Sequence, residues 1–143
     1  MGGVTSSPAD DGAARAAHLL RLLADGDIPA ADDLLAGLDV RELTFTGAGL
    51  TALARAERHT LLPGQRAQAN TRQLRLGILR DANRDDPAGL RVWLRGAGEE
   101  ILLIRSQQEI ADRLHAADQQ RTATRAAAEA SGTDAASRPA AST

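Results

Sequence analysis

The sequence predicts a small, mostly helical α+β single domain with one short strand and a β-hairpin. Three observations carry that expectation. Leu and Ala recur at three- and four-residue spacing over most of the chain, the signature of amphipathic helices. Two six-residue stretches, VRELTF from Val40 and LRVWLR from Leu90, instead alternate apolar and polar side chains, as a half-buried strand does. Each is followed closely by Gly-Ala-Gly, a combination that suits a turn.

In chain order, residues 1–12 are rich in Gly, Ser, Pro and Asp and are expected to be disordered, with the folded domain over 13–121. AARAAHLLRLLADGD sets Ala16, Leu19, Leu20 and Leu23 on one helical stripe, and Gly26 stops it. Pro29 opens a second short helix that closes near Gly37. Leu43 and Phe45 then alternate with Glu42, Thr44 and Thr46 as a strand. Gly47-Ala48-Gly49 turns the chain, and Leu50, Leu53 and Ala54 resume helical spacing. From Gln65 a further helix places Ala67, Thr71, Leu74, Ile78 and Ala82 on its apolar face, opposite Arg66, Arg80 and Arg84, with Arg72 and Arg75 on the flanks.

Pro87 ends that helix, and Leu90, Val92 and Leu94 share one face of the second strand, with Arg91, Trp93 and Arg95 on the other. Beyond Gly96-Ala97-Gly98 two readings stand. Either Ile101 to Ile104 returns as the second strand of a hairpin, with Ser106 and Glu109 forming a capping box for a final helix, or one helix runs on from Glu99. The hairpin is the reading adopted, because the capping box satisfies two amides. Residues 122–143 are Ala-, Ser- and Thr-rich without large apolar side chains, and are expected to form a disordered tail.

Composition excludes several function classes. The chain of 143 residues has no Cys, so disulfides, thiolate zinc sites and thiol nucleophiles are absent together. Phe45 and Trp93 are the two aromatic residues, too few for a base-stacking platform. No long apolar run predicts a membrane span. All 17 basic residues are Arg, which with the Ala excess suggests a GC-rich bacterial coding sequence, and cytoplasm is the expected compartment. Charge is uneven. Residues 1–40 hold seven Asp against two Arg, and residues 41–84 hold eight Arg against three acids, within a net charge of −2. The acidic block, through Asp25, Asp27, Asp32 and Asp33, is expected to mate with the basic one.

Gly47-x-Gly49-x-x-Ala52 matches the glycine pattern of a dinucleotide site, but the polar stretch from Gln65 to Asn70 holds no carboxylate for a ribose. DIPAADDLLAGL followed by LTFTGAGLTALARAE, within residues 26–66, resembles the middle of a STAS domain, the fold of anti-sigma-factor antagonists. In that family the turn reads Asp-Ser-Ser-Gly-Leu. Gly49 and Leu50 match it, Thr46 stands near the aspartate, and Ala48 occupies the phosphoserine position, so the switch serine is absent. The resemblance implies protein binding without phosphoregulation at Ala48.

His18, His59 and His115 lie on separate segments without metal-ligand spacing. Adjacent carboxylates such as Asp32 and Asp33 point different ways on a helix, which favours solvation over acid–base work. No enzyme activity and no cofactor are therefore expected. Arg66, Arg72, Arg75, Arg80, Arg84, Arg91, Trp93 and Arg95 form the candidate binding surface, because Arg suits bidentate contact with carboxylate or phosphate. The expected function is protein–protein interaction, with a protein partner or a second copy. Nucleic-acid binding through the Arg-rich helix 65–84 is the alternative.

Overall fold

The computed structural model describes residues 6–137, with side chains through residue 132. The chain divides into two units, Met1–Gln108 and Glu109–Thr143. Among the described residues there are five helices and no strand: α1 Pro8–Ala24, α2 Ile28–Ala36, α3 Val40–Arg58, α4 Pro63–Ala82 and α5 Pro87–Ser137. The α+β expectation is thereby corrected to an all-helical fold, and both alternating stretches are the first turns of helices.

The first correction has a local cause in Asp39. Its Oδ1 accepts from the Glu42 amide at 2.8 Å, and Glu42 Oε1 accepts from the Asp39 amide at 3.1 Å. This reciprocal capping box satisfies two of the amides that a helix start leaves open. The Thr44 and Thr46 hydroxyls donate to the carbonyls of Val40 and Glu42, one turn back, so these β-branched residues are accommodated inside α3.

In α5 the buried hydrophobic side chains are Leu90, Trp93, Leu94, Ala97, Ile101 and Ile104, which follow helical spacing. Val92, placed by the alternation on the face of Leu90 and Leu94, is 61% exposed. Pro87 opens the helix, and Asp86 accepts from the Ala88 amide at 3.2 Å. The hairpin is absent. Ile101 to Ile104 continue the helix, and Ser106 to Glu109 lie inside it.

Neither Gly-Ala-Gly is a turn. Each lies in mid-helix, with its two glycines on opposite faces, where a missing Cβ lets a neighbour come close. On α3, Gly47 seats the Trp93 ring, and a Cβ on Gly49 would stand 3.2 Å from Ala13 Cα and Ala16 Cβ of α1. On α5, a Cβ on Gly96 would meet Leu76 of α4 at 3.1 Å, and one on Gly98 would meet Leu23 of α1 at 2.6 Å. Gly12 of α1 lies under the Phe45 carbonyl, so small residues line both sides of the α1–α3 crossing.

The core of the first unit joins Ala16, Leu19, Leu20 and Leu23 of α1 to Ala31 and Leu35 of α2, Leu43, Leu50 and Ala54 of α3, and the α5 residues above. The stripe expected on α1 is the one buried. Thr46, fully buried, accepts from Arg15 Nε at 2.9 Å.

Helix α4 departs from expectation in the face it buries. Ala69 is its one fully buried residue, backed by the partly buried Leu76 and Leu79. The predicted apolar face points outward instead, with Leu74 70% and Ile78 71% exposed. Arg72 ties α4 to α5, donating from Nε to both carboxylate oxygens of Glu100 at 2.9 and 2.7 Å.

In the second unit, Ile110 and Leu114 are exposed, and ion pairs Glu109–Arg113 and Asp118–Arg121 run along the helix surface. Of the segments expected to be disordered, residues 1–5 and 138–143 lie outside the described residues. Pro8 to Gly12 belong to α1, and 122–137 to α5.

Candidate functional site

The outward face of α4 borders a groove. Two adjoining hollows, about 560 and 300 Å³, share Thr51 and Arg80 as walls. One wall comes from α3: Thr44, Ala48, Thr51, Ala52, Arg55 and Arg58 recur at three- and four-residue spacing and so share a face. The other comes from α4, where Asn70, Gln73, Leu74, Gly77, Ile78 and Asp81 do the same. Buried Trp93 closes the smaller hollow from below. From Thr44 to Arg58 the groove runs about 21 Å, roughly four helical turns at 1.5 Å per residue.

Small side chains make the groove accessible. Nothing lies within 4 Å of the position a Cβ on Gly77 would take, and Ala48 and Ala52 face it from α3. Its rim is basic. Among the described residues, exposed Arg55 has no hydrogen-bond or ion-pair partner, and half-buried Arg58 holds its Nη1 buried without a hydrogen-bond partner. Arg80 is partly offset by Asp81 at 3.2 Å. Arg75, exposed and without a partner among the described residues, stands on α4 beside Leu74 and Ile78.

A second hollow of about 810 Å³ lies on the other side of α4, between α2, Leu79 of α4 and the first turns of α5. Its lining is mostly apolar, with Leu35, Ala36, Ala88 and Val92. Arg95 crosses it to pair with Asp32 of α2, and also meets Glu99 at 3.4 Å.

The structure distributes the predicted binding residues among several tasks. Arg66 spans its own turn, donating to the carbonyls of His59 at 3.0 Å and Leu61 at 3.1 Å. Arg72 is held by Glu100, and Arg84 joins Arg80 on Asp81. Trp93 is 3% exposed and packs in the core. Arg91 and Arg95 line the α2–α5 hollow, Arg80 lines the α3–α4 groove, and Arg75 lines neither. The expected mating of the acidic block with the Arg helix is not what forms. Asp32 pairs with Arg95 of α5, and Asp27 caps α2 by accepting from the Ala30 amide at 3.2 Å.

Sequence reasoning missed the α3 side of the groove. Arg55 and Arg58 follow Ala48 and Ala52 at helical spacing, a signal that emerges only when α3 is read as one helix from Asp39. Among the described residues no cluster of His, Cys, Asp and Glu could hold a metal ion, and no helix is long and apolar enough to cross a membrane. Comparison of the chain with family models, curated proteins and solved structures finds no match.

Proposed function

We propose that the chain is a non-enzymatic bacterial protein-binding module that receives an amphipathic helix of a partner protein in the α3–α4 groove. The observation that carries the reading is the exposure of Leu74 and Ile78 on the groove wall and its lip. Isolated apolar side chains on a surface need no explanation, but two at i, i+4 beside a small-residue cleft match the way a groove takes a helix. Among the described residues, Arg55 and Arg58 on the groove rim and Arg75 beside Leu74 have no carboxylate partners. The favoured partner helix therefore carries acidic residues beside its apolar stripe.

Duplex nucleic acid suits the site less well. The free Arg side chains would meet phosphates, but Leu74 and Ile78 would gain little from a sugar–phosphate backbone. A photo-crosslinking residue at Ile78, expressed in the native host, tests the reading. The expected product is a protein adduct that Arg55→Glu and Leu74→Glu each reduce, its mass distinguishing another protein from a second copy. A nucleic-acid adduct, or a protein adduct indifferent to both changes, would sink the proposal.

A further inference from the structure

We infer that the α2–α5 hollow is a binding site for a small monocarboxylate with an apolar body, independent of the groove proposed for a partner. Three observations converge on that class of ligand. At about 810 Å³, the hollow falls in the range of small-molecule sites, which are mostly apolar with a few fixed polar groups. Val92 is 61% exposed on its wall, and Leu79 is partly buried opposite, so an apolar body has surface to cover.

The charges select the head group. Arg95 is matched by Asp32 and Glu99, which together more than offset it. Arg91, one turn earlier on the same wall, is half-buried and makes no ion pair or hydrogen bond among the described residues. A guanidinium in that setting favours a planar carboxylate, which it can grip through two parallel N–H donors. With Asp32, Glu99 and Arg95, Arg91 leaves the lining neutral, so the head group is favoured by the open donor fork of Arg91 and not by net charge. A phosphate dianion would bring a second charge toward Asp32 and Glu99 and be repelled. The geometry thus assigns the carboxylate to Arg91 and the apolar body to the Leu79–Val92 cleft.

The test uses the full chain, isotopically labelled, titrated with decanoate and followed by amide and Arg Nε–Hε resonances. Decanoate is expected to shift Ala88, Val92, Leu79 and the Arg91 side chain together. Arg91→Gln, which breaks no hydrogen bond or ion pair among the described residues, should weaken binding by about tenfold or more. Decanol should bind the parent chain more weakly than decanoate by a similar factor, and should bind Arg91→Gln no more weakly than it binds the parent. That non-additivity ties the head group to this one side chain. Octyl phosphate should bind less tightly than decanoate. Shifts elsewhere on the surface, equal affinity for decanoate and decanol, or insensitivity to Arg91→Gln would overturn the assignment. So would tighter binding by a peptide ending in an apolar residue, because the natural occupant would then be a chain terminus.

Discussion

Helices α3 and α4 are nearly equal in length, 19 and 20 residues, yet meet the rest of the first unit in opposite ways. In α3, Leu43, Thr46, Gly47, Leu50 and Ala54 are buried, and glycines on two faces bring α1 and Trp93 close. In α4, one alanine is fully buried, Gly77 faces open space, and among the described residues one ion pair, at Glu100, supplies the polar tether to α5. Burial area dominates folding free energy, so α3 belongs to the stable interior and α4 is the helix free to serve a partner. The difference separates two uses of glycine. In α3 its missing side chain is filled by a neighbour; in α4 it is left unfilled.

The largest test of that contrast is Gly47→Ala. The added carbon would overlap the Trp93 ring, which is 3% exposed and hemmed in by the core. Overpacking of this kind costs about 2–3 kcal/mol, measured by urea denaturation. Gly49→Ala should cost less, because its nearest neighbours stand 3.2 Å away and a shift of a few tenths of an ångström relieves them. Equal effects at the two positions would mean that Trp93 can move aside and that α3 is less tightly held.

Glu100→Gln probes the tether of α4 and should cost about 2 kcal/mol. Hydrogen bonds to charged groups contribute roughly 1.5–3 kcal/mol, and partial exposure of Arg72 places the effect below the top of that range. Native-state hydrogen exchange should show α4 amides losing protection before those of α3. Uniform loss across both helices would erase the proposed difference in local stability. Thr46→Val acts inside the stable pair and removes the acceptor of Arg15 Nε, costing about 1 kcal/mol. Its exchange signature should fall on α1 and α3, leaving α4 untouched.

Much of the helical content was legible in the sequence, and the reasons for the failures are physical. The stripe Ala16, Leu19, Leu20, Leu23 and the stop at Gly26 were readable because core spacing and cap agree, and Gly26 does adopt a positive φ of 73°. The strand at Val40 was misread because six residues of alternation outweighed Asp39 and Glu42, whose capping box stood just before it. At Ser106 and Glu109 the same kind of pattern predicts a helix start yet lies inside α5. A capping box in sequence is therefore decisive only where the flanking apolar spacing changes with it. Trp93 fell on the polar face of an imagined strand, although Leu90, Leu94, Ala97 and Ile101 frame it at helical spacing. For the site, Arg80, Arg91 and Arg95 do border cavities, but their division between the α3–α4 groove and the α2–α5 hollow depends on helix packing that no local pattern encodes. The spacing puts Leu74 and Ile78 on one apolar face of the helix; burial of Ala69 and partial burial of Leu76 and Leu79 turn that face outward.

The smallest expected effect has the opposite sign. Gly77→Ala makes the same chemical change as Gly47→Ala, on a helix of almost the same length, but no atom lies within 4 Å of the added carbon. Only backbone entropy and helix propensity then respond, and replacing Gly by Ala in a helix interior stabilises by about 0.5–1 kcal/mol. A rise of that size, set against the loss at Gly47, would show that the contrast between the helices is one of neighbours and not of sequence. The added methyl also protrudes into the groove between Thr51 and Leu74, so the protein adduct formed from position 78 should diminish even as the fold gains stability. A fall in stability at Gly77 would mean that α4 packs more closely than the open groove implies, and the helix would lose its claim to be the docking wall.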